Sequence, residues 1–235
     1  MSRKNEPHWL WNYDGHIGDK YRVRMTLVFA EKEVSGLYFY ASQLKDIALK
    51  GWVMDGTSLV LDELDSSGNV VARFEGKFSD IDPQGRFGGS KLECEIIVGS
   101  WRKPHSSESL PIYLSQESGT DGDLKNRYAL AGAADDTLVH RNVYRFWNAV
   151  RMDDRKTVAA SIAYPISVQL PAGKKRLHGS AELTALYDAI FSPEYRKALS
   201  EALPRNMFVR DQGIMLGHGE VWFGPGGKVV ALNPF

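Results

Sequence analysis

Along Tyr21-Arg22-Val23-Arg24-Met25-Thr26-Leu27-Val28-Phe29, apolar side chains fall at every second position, the period of a strand with one buried face. Similar short runs follow over 34–40, 47–54, 58–64, 70–78, 91–98 and 110–114, separated by turn signals such as Asp55-Gly56, Asp65-Ser66-Ser67-Gly68-Asn69, Asp82-Pro83-Gln84-Gly85 and Lys103-Pro104-His105. Tight turns between seven or eight strands predict an antiparallel meander over residues 8–116. Closing it into a β-barrel removes the exposed edges. Trp9, Trp11 and Tyr13 stand ahead of the first regular run, either plugging one barrel end or exposed as interface anchors.

From Thr137 the period changes. Leu138, Val139, Val143, Phe146, Trp147 and Val150 recur at three- and four-residue intervals, which predicts a helix capped by Asp135 or Asp136. A second helix fits 154–162, ending before Tyr164-Pro165. A hairpin over 166–178 turns at Pro171-Ala172-Gly173. Ser180 is placed to cap a helix over 181–191, and Ser192-Pro193 to open a fourth. Strands return over 207–210, 213–223 and 228–232. Helices followed by an antiparallel sheet predict an α+β domain over 136–235. Between the two domains, residues 117–135 are mostly small or polar and read as a linker.

Certain positions carry a family resemblance. With Tyr13-Asp14-Gly15-x-Ile17-Gly18, Val34-Ser35-Gly36-x-Tyr38-x-Tyr40, Leu49-x-Gly51, Leu61-x-Glu63, Phe74-x-Gly76-x-Phe78, Gly99-x-Trp101 and Leu110-Pro111, the first half resembles a bacterial lipocalin- or avidin-like β-barrel domain that often occurs in exported proteins. The resemblance implies the fold and no particular ligand. Gly88-Gly89 and a longer strand depart from its pattern around 87–98. The second half carries Phe146-Trp147-x-Ala149, Val158-Ala159-x-x-Ile162-x-Tyr164-Pro165, Leu183-x-x-x-Tyr187-Asp188-x-Ile190-Phe191 and a glycine-rich run from Gly213 to Phe223. It is similar to small bacterial domains of the cystatin/NTF2-like superfamily, which implies helices on the concave face of a curved antiparallel sheet. That superfamily hosts enzymes, ligand pockets and protein-binding modules, so the fold by itself selects none of them.

The 235 residues hold 29 Lys and Arg against 29 Asp and Glu, so no overall positive field favours nucleic acid or an anionic membrane. The zero is a sum. Residues 1–118 carry 14 basic and 17 acidic side chains and residues 119–235 carry 15 and 12; the halves are either two ordinary surfaces or faces that attract each other or a partner. One cysteine, Cys94, excludes an intramolecular disulfide and a multi-cysteine zinc site. No apolar run approaches the roughly 20 residues of a membrane-spanning helix. The opening MSRKNEPHWLW has no apolar stretch behind its basic residues, so the literal expectation is cytoplasmic, or periplasmic or envelope-bound if a signal was removed.

Candidate chemistry is sparse. There is no G-x-S-x-G and no H-E-x-x-H, no cofactor motif appears, and Cys94 sits between two glutamates in an alternating strand, which marks it as structural. His218, Glu220 and Trp222 fall on one side of a predicted strand, with Arg210 entering the same sheet. They form either a solvated face or the lining of a pocket in which Glu220 orients His218 as a base. Tyr187 and Asp188 read as a core ring beside an exposed acid, or as a pocket pair. Trp147 packs the core or walls a pocket. Lys174-Lys175-Arg176 forms a short basic run at the hairpin tip.

Taken together, these features favour a non-enzymatic protein-binding or inhibitory module, for example an immunity protein that neutralises a toxin, without cofactor or metal. A small-ligand carrier, an envelope-associated protein, and an enzyme centred on His218, Glu220 and Asp188 are the alternatives.

Overall fold

The computed structural model describes residues 8–80, 96–170, 173–211 and 213–234. The chain divides into two compact units, Met1–Leu124 and Lys125–Phe235.

In the first unit, β1 (Trp9–Ile17), β2 (Tyr21–Ala30), β3 (Glu33–Tyr40), β4 (Ile47–Met54), β5 (Ser58–Leu64), β6 (Val70–Ser79), β7 (Ile96–Arg102) and β8 (Ser109–Asp121) form a closed antiparallel barrel, each strand pairing with its neighbour in sequence and β8 with β1. Alternation puts one residue in two inside, where Tyr13, Val23, Met25, Leu27, Tyr38, Leu49, Leu61, Phe74, Ile97 and Leu114 belong to a single buried cluster. A small barrel bends its strands sharply, and glycines sit at the inner positions of closest approach. A β-carbon on Gly51 would collide with the Val60 carbonyl, and one on Gly15 with that of Tyr113.

Two boundaries differ from the sequence reading. Trp9, Trp11 and Tyr13 do not precede the first strand; they are part of it, Trp9 paired with β8 and Trp11 and Tyr13 with both β2 and β8. Strand β8 also runs on through Asp121, burying Ser115 and Thr120, so the segment read as a linker from 117 begins as barrel wall. The predicted strand over 91–98 falls within the described residues only from Ile96; Cys94 and Gly88-Gly89 lie outside them.

The second unit starts earlier than the linker assignment placed it. Arg127 and Tyr128 are buried, and Asp136 accepts hydrogen bonds from both of their backbone N–H groups, at 2.7 and 3.2 Å. The Tyr128 hydroxyl lies 2.8 Å from His140 Nε2 and accepts from Met207 N at 2.9 Å. Helix α1 (Asp136–Arg151) is capped by the Asp135 side chain and α2 (Arg155–Ala160) by that of Asp154. The helix expected over 181–191 is two pieces, α3 (Ser180–Ala185) and α4 (Tyr187–Ile190), broken where Leu186 leaves helical geometry. Gly179 occupies the cap position expected for Ser180, without a side-chain bond. Ser192 caps α5 (Pro193–Glu201).

Strands β9 (Ile166–Leu170), β10 (Gly173–Leu177), β11 (Phe208–Arg210), β12 (Gly213–Leu216), β13 (Val221–Phe223) and β14 (Val229–Leu232) form a sheet in the order β10-β9-β14-β13-β12-β11. It is mixed rather than wholly antiparallel, because β14 runs parallel to β9. Phe146 of α1 meets Phe223 of β13 edge-on at 5.5 Å, one of the contacts through which the helices cover the buried sheet face. Lys174, Lys175 and Arg176 are exposed on edge strand β10, not at a hairpin tip. No described helix is long and apolar enough to cross a membrane.

Candidate binding site at one end of the barrel

An antiparallel meander delivers the end of every odd strand and the start of every even one to the same rim. At this rim the inward rows of six strands finish on Tyr21, Tyr40, Ile47, Glu63, Trp101 and Leu110. The row in β5 reads Leu59, Leu61, Glu63, so a carboxylate stands where the period calls for an apolar side chain. Glu63 is half-buried. Its Oε2 accepts from the Tyr38 hydroxyl at 2.6 Å and from Trp101 Nε1 at 3.0 Å, and its Oε1 takes no hydrogen bond from any described residue. Tyr38 and Tyr40 oxygens are 3.3 Å apart.

Aromatic rings surround this group. Tyr40 lies edge-on to Tyr21 at 6.0 Å and to Tyr38 at 5.5 Å, and Tyr38 is edge-on to Phe74 at 5.2 Å. Burial, and then the adjacent Glu63 charge, push the Tyr38 hydroxyl far above the usual phenol range. Burial likewise raises Tyr40, against the opposing effect of its bond with Tyr38. Both remain O–H groups at neutral pH, so Tyr38 acts as a fixed donor. The site can hold and orient a polar group against a carboxylate inside an apolar wall.

The sequence-predicted residues lie elsewhere. Trp147 is 8% exposed and ties α1 to α5 by donating from Nε1 to the Leu199 carbonyl at 2.9 Å, with the Arg151 guanidinium 4.3 Å from its ring. Tyr187 stacks on Phe191 at 4.6 Å beneath Arg155. Its hydroxyl is buried with no described partner, and burial raises it to about 12. Asp188 is exposed and paired with Arg155 through two contacts of 2.8 and 2.9 Å.

His218 and Glu220 are not on a strand. Gly217 and Gly219 take φ of 71° and 115°, which turns the chain between β12 and β13. The Glu220 carboxylate accepts from the His218 backbone N–H and so holds the turn instead of orienting an imidazole. Asp188 is engaged with Arg155, and among the described residues no hydrogen bond joins it to His218 or Glu220. Arg210 is exposed and paired with Asp211 at 3.3 Å. Trp222 lies over Gly213 on the sheet face opposite the buried Val221 and Phe223. Trp9 and Trp11 pack 6.1 Å apart at the barrel end opposite Glu63 and are half-buried, Trp11 against the core cluster. That end also has a depression of about 310 Å³ lined by Phe29, Val53 and Phe78 with Glu31, Lys32 and Asp55 at its rim.

Among the described residues no three His, Cys, Asp or Glu side chains are grouped to hold a metal. Tyr38, Tyr40, Glu63 and Trp101 appear in the sequence as barrel-signature positions and not as a site. The available signal was the glutamate closing an inward apolar row. No protein-family model and no curated protein matches this chain, so the reading of the site rests on its own geometry.

Proposed function

We propose that this is a non-enzymatic binding protein that recognises its partner at the Glu63 end of the barrel. The observation that carries the reading is the half-buried carboxylate with one oxygen committed to Tyr38 and Trp101 and the other unengaged. Placing a carboxylate against apolar walls is costly, and a purely structural rim position is filled as well by leucine. The cost is offset when a partner group reaches the open oxygen. Below the rim, Val23, Met25, Leu49, Leu61 and Phe74 are almost fully buried in the core cluster. The site is therefore a mouth that accepts the tip of a group, which favours a protein partner, such as a toxin that the chain neutralises, over the carriage of an enclosed ligand.

The test is capture of the partner from native cells by wild-type protein and by Ile47→Trp and Leu110→Trp, each of which fills the mouth. A partner held by the wild type and released by both variants supports the reading. Equal capture by all three overturns it. A small molecule that co-purifies, and is displaced by the same variants, shifts the function to ligand binding at the same place.

A further inference from the structure

We infer that the group received at the barrel mouth is a primary ammonium, of a lysine side chain or a small free amine. The inference rests on the reading of the Glu63 end as the binding site. It starts from charge. On the outer barrel wall three carboxylates are matched by arginines: Asp14 with Arg22 and Arg24, Asp62 with Arg73, and Glu75 with Arg102. Glu63, next in sequence to Asp62 but facing inward, has no cationic partner among the described residues. Anionic ligands are repelled by it, and neutral ones leave its charge uncompensated.

Ring chemistry points the same way. Tyr21 is exposed and Tyr40 half-buried at the rim beside the carboxylate, and the faces of such rings attract cations. The rim already shows this preference, because the Lys20 ammonium lies 5.6 Å from the Tyr21 ring centroid. A divalent metal is a poor occupant, since it needs several oxygen ligands and only one carboxylate is present.

Acceptor geometry separates ammonium from guanidinium. Oε2 already accepts two hydrogen bonds, from Tyr38 at 2.6 Å and Trp101 at 3.0 Å, so its lone pairs are used. A guanidinium binds best as a fork across both carboxylate oxygens, whereas an ammonium is a point charge that needs only one. Oε1 alone suits the ammonium.

The experiment titrates the full chain with n-butylammonium, n-butylguanidinium, n-butanol and butanoate at matched ionic strength, following the Trp101 indole N–H by NMR. Saturable n-butylammonium binding is expected, with the roughly millimolar affinity of so small a ligand, and the other three probes should bind more weakly. Glu63→Gln should lose roughly 10- to 100-fold in affinity. Glu33→Gln, which removes an exposed carboxylate at the opposite end of the barrel, should bind like wild type and checks that a folded variant with one charge fewer still responds. No saturable shift, equal binding of n-butanol, tighter binding of n-butylguanidinium, or an unchanged affinity in Glu63→Gln overturns the inference.

A capped tripeptide Gly-Lys-Gly, compared with its Nζ-acetyl form, separates the sources. Tighter binding than n-butylammonium, lost on acetylation, identifies a protein lysine; no gain over n-butylammonium identifies a free amine. If the native partner is released by Ile47→Trp but captured undiminished by Glu63→Gln, the mouth remains the site and the ammonium inference falls.

Discussion

Tyr38→Phe removes one oxygen and leaves the ring in place against Phe74 and Tyr40, so its effect reports the loss of the 2.6 Å hydrogen bond to Glu63 together with the longer 3.3 Å contact with the Tyr40 hydroxyl. A hydrogen bond to a charged group contributes about 1.5–3 kcal/mol, and partial solvent access at Glu63 puts the loss near the lower end, about 2 kcal/mol. Trp101 still donates to the same oxygen, so the carboxylate is weakened in its support rather than stranded. Charge-assisted bonds are roughly twice as strong as neutral ones. In a Glu63→Gln background, where the acceptor is an amide oxygen, the same tyrosine substitution should therefore cost only about 1 kcal/mol. The coupling between the two positions is then about 1 kcal/mol. Urea denaturation of the four proteins measures it, with hydrogen exchange in β3 and β5 assigning the transition to the barrel unit. Equal losses in both backgrounds would show that the Tyr38 proton is not engaged with the Glu63 charge, removing the premise that a fixed donor holds an anionic Oε2.

Three further outcomes follow from the same structure. Asp55 accepts from the backbone N–H and hydroxyl groups of both Thr57 and Ser58, which lowers its carboxyl to about 2; a depressed folded value contributes stability above the unfolded value and loses it as pH falls. The stability gap between wild type and Asp55→Ala should therefore be constant at neutral pH and close between about pH 4 and pH 2 in acid titrations followed by circular dichroism. Tyr128→Phe leaves the buried Met207 N–H and His140 Nε2 without the hydroxyl between them, and should cost about 2–4 kcal/mol in denaturant unfolding of the second unit, with hydrogen exchange at Met207 reporting the site. Gly51→Ala drives a β-carbon into the Val60 carbonyl; the barrel should lose at least about 3 kcal/mol, read as a lower urea midpoint, while Gly68→Ala, in an open turn, should cost at most about 1 kcal/mol.

Most of the elements were legible because each is a local pattern. The two-residue period placed β2 to β6, and Asp135 or Asp136 and then Ser192 marked two helix starts by capping chemistry that involves only the next turn, the caps proving to be Asp135 and Ser192. The misses have equally specific causes. Composition made 117–135 look like a linker, yet a few large residues, Arg127 and Tyr128, anchor its second part through bonds to residues as far away as Met207. Gly217 and Gly219 were visible as breaks in alternation, but only the folded chain shows that they turn it fully and set Glu220's carboxylate on the His218 backbone N–H. The parallel pairing of β14 with β9 has no local signal at all.

The sequence by itself determined that a strand-rich unit is followed by an α+β unit, and which side chains along each strand share a face. It even displayed the anomaly at Glu63, a charge ending an inward row. Which ends of which strands meet was decided only by the tertiary structure. Barrel closure and an antiparallel register bring Tyr21, Tyr38, Tyr40, Glu63 and Trp101 to one rim, across separations of up to 80 residues. The physical reason is that periodicity acts within a strand, while register acts between strands. A slip of one residue in β5 would turn Glu63 to the outer wall and Asp62 inward, and the same sequence would present no such site.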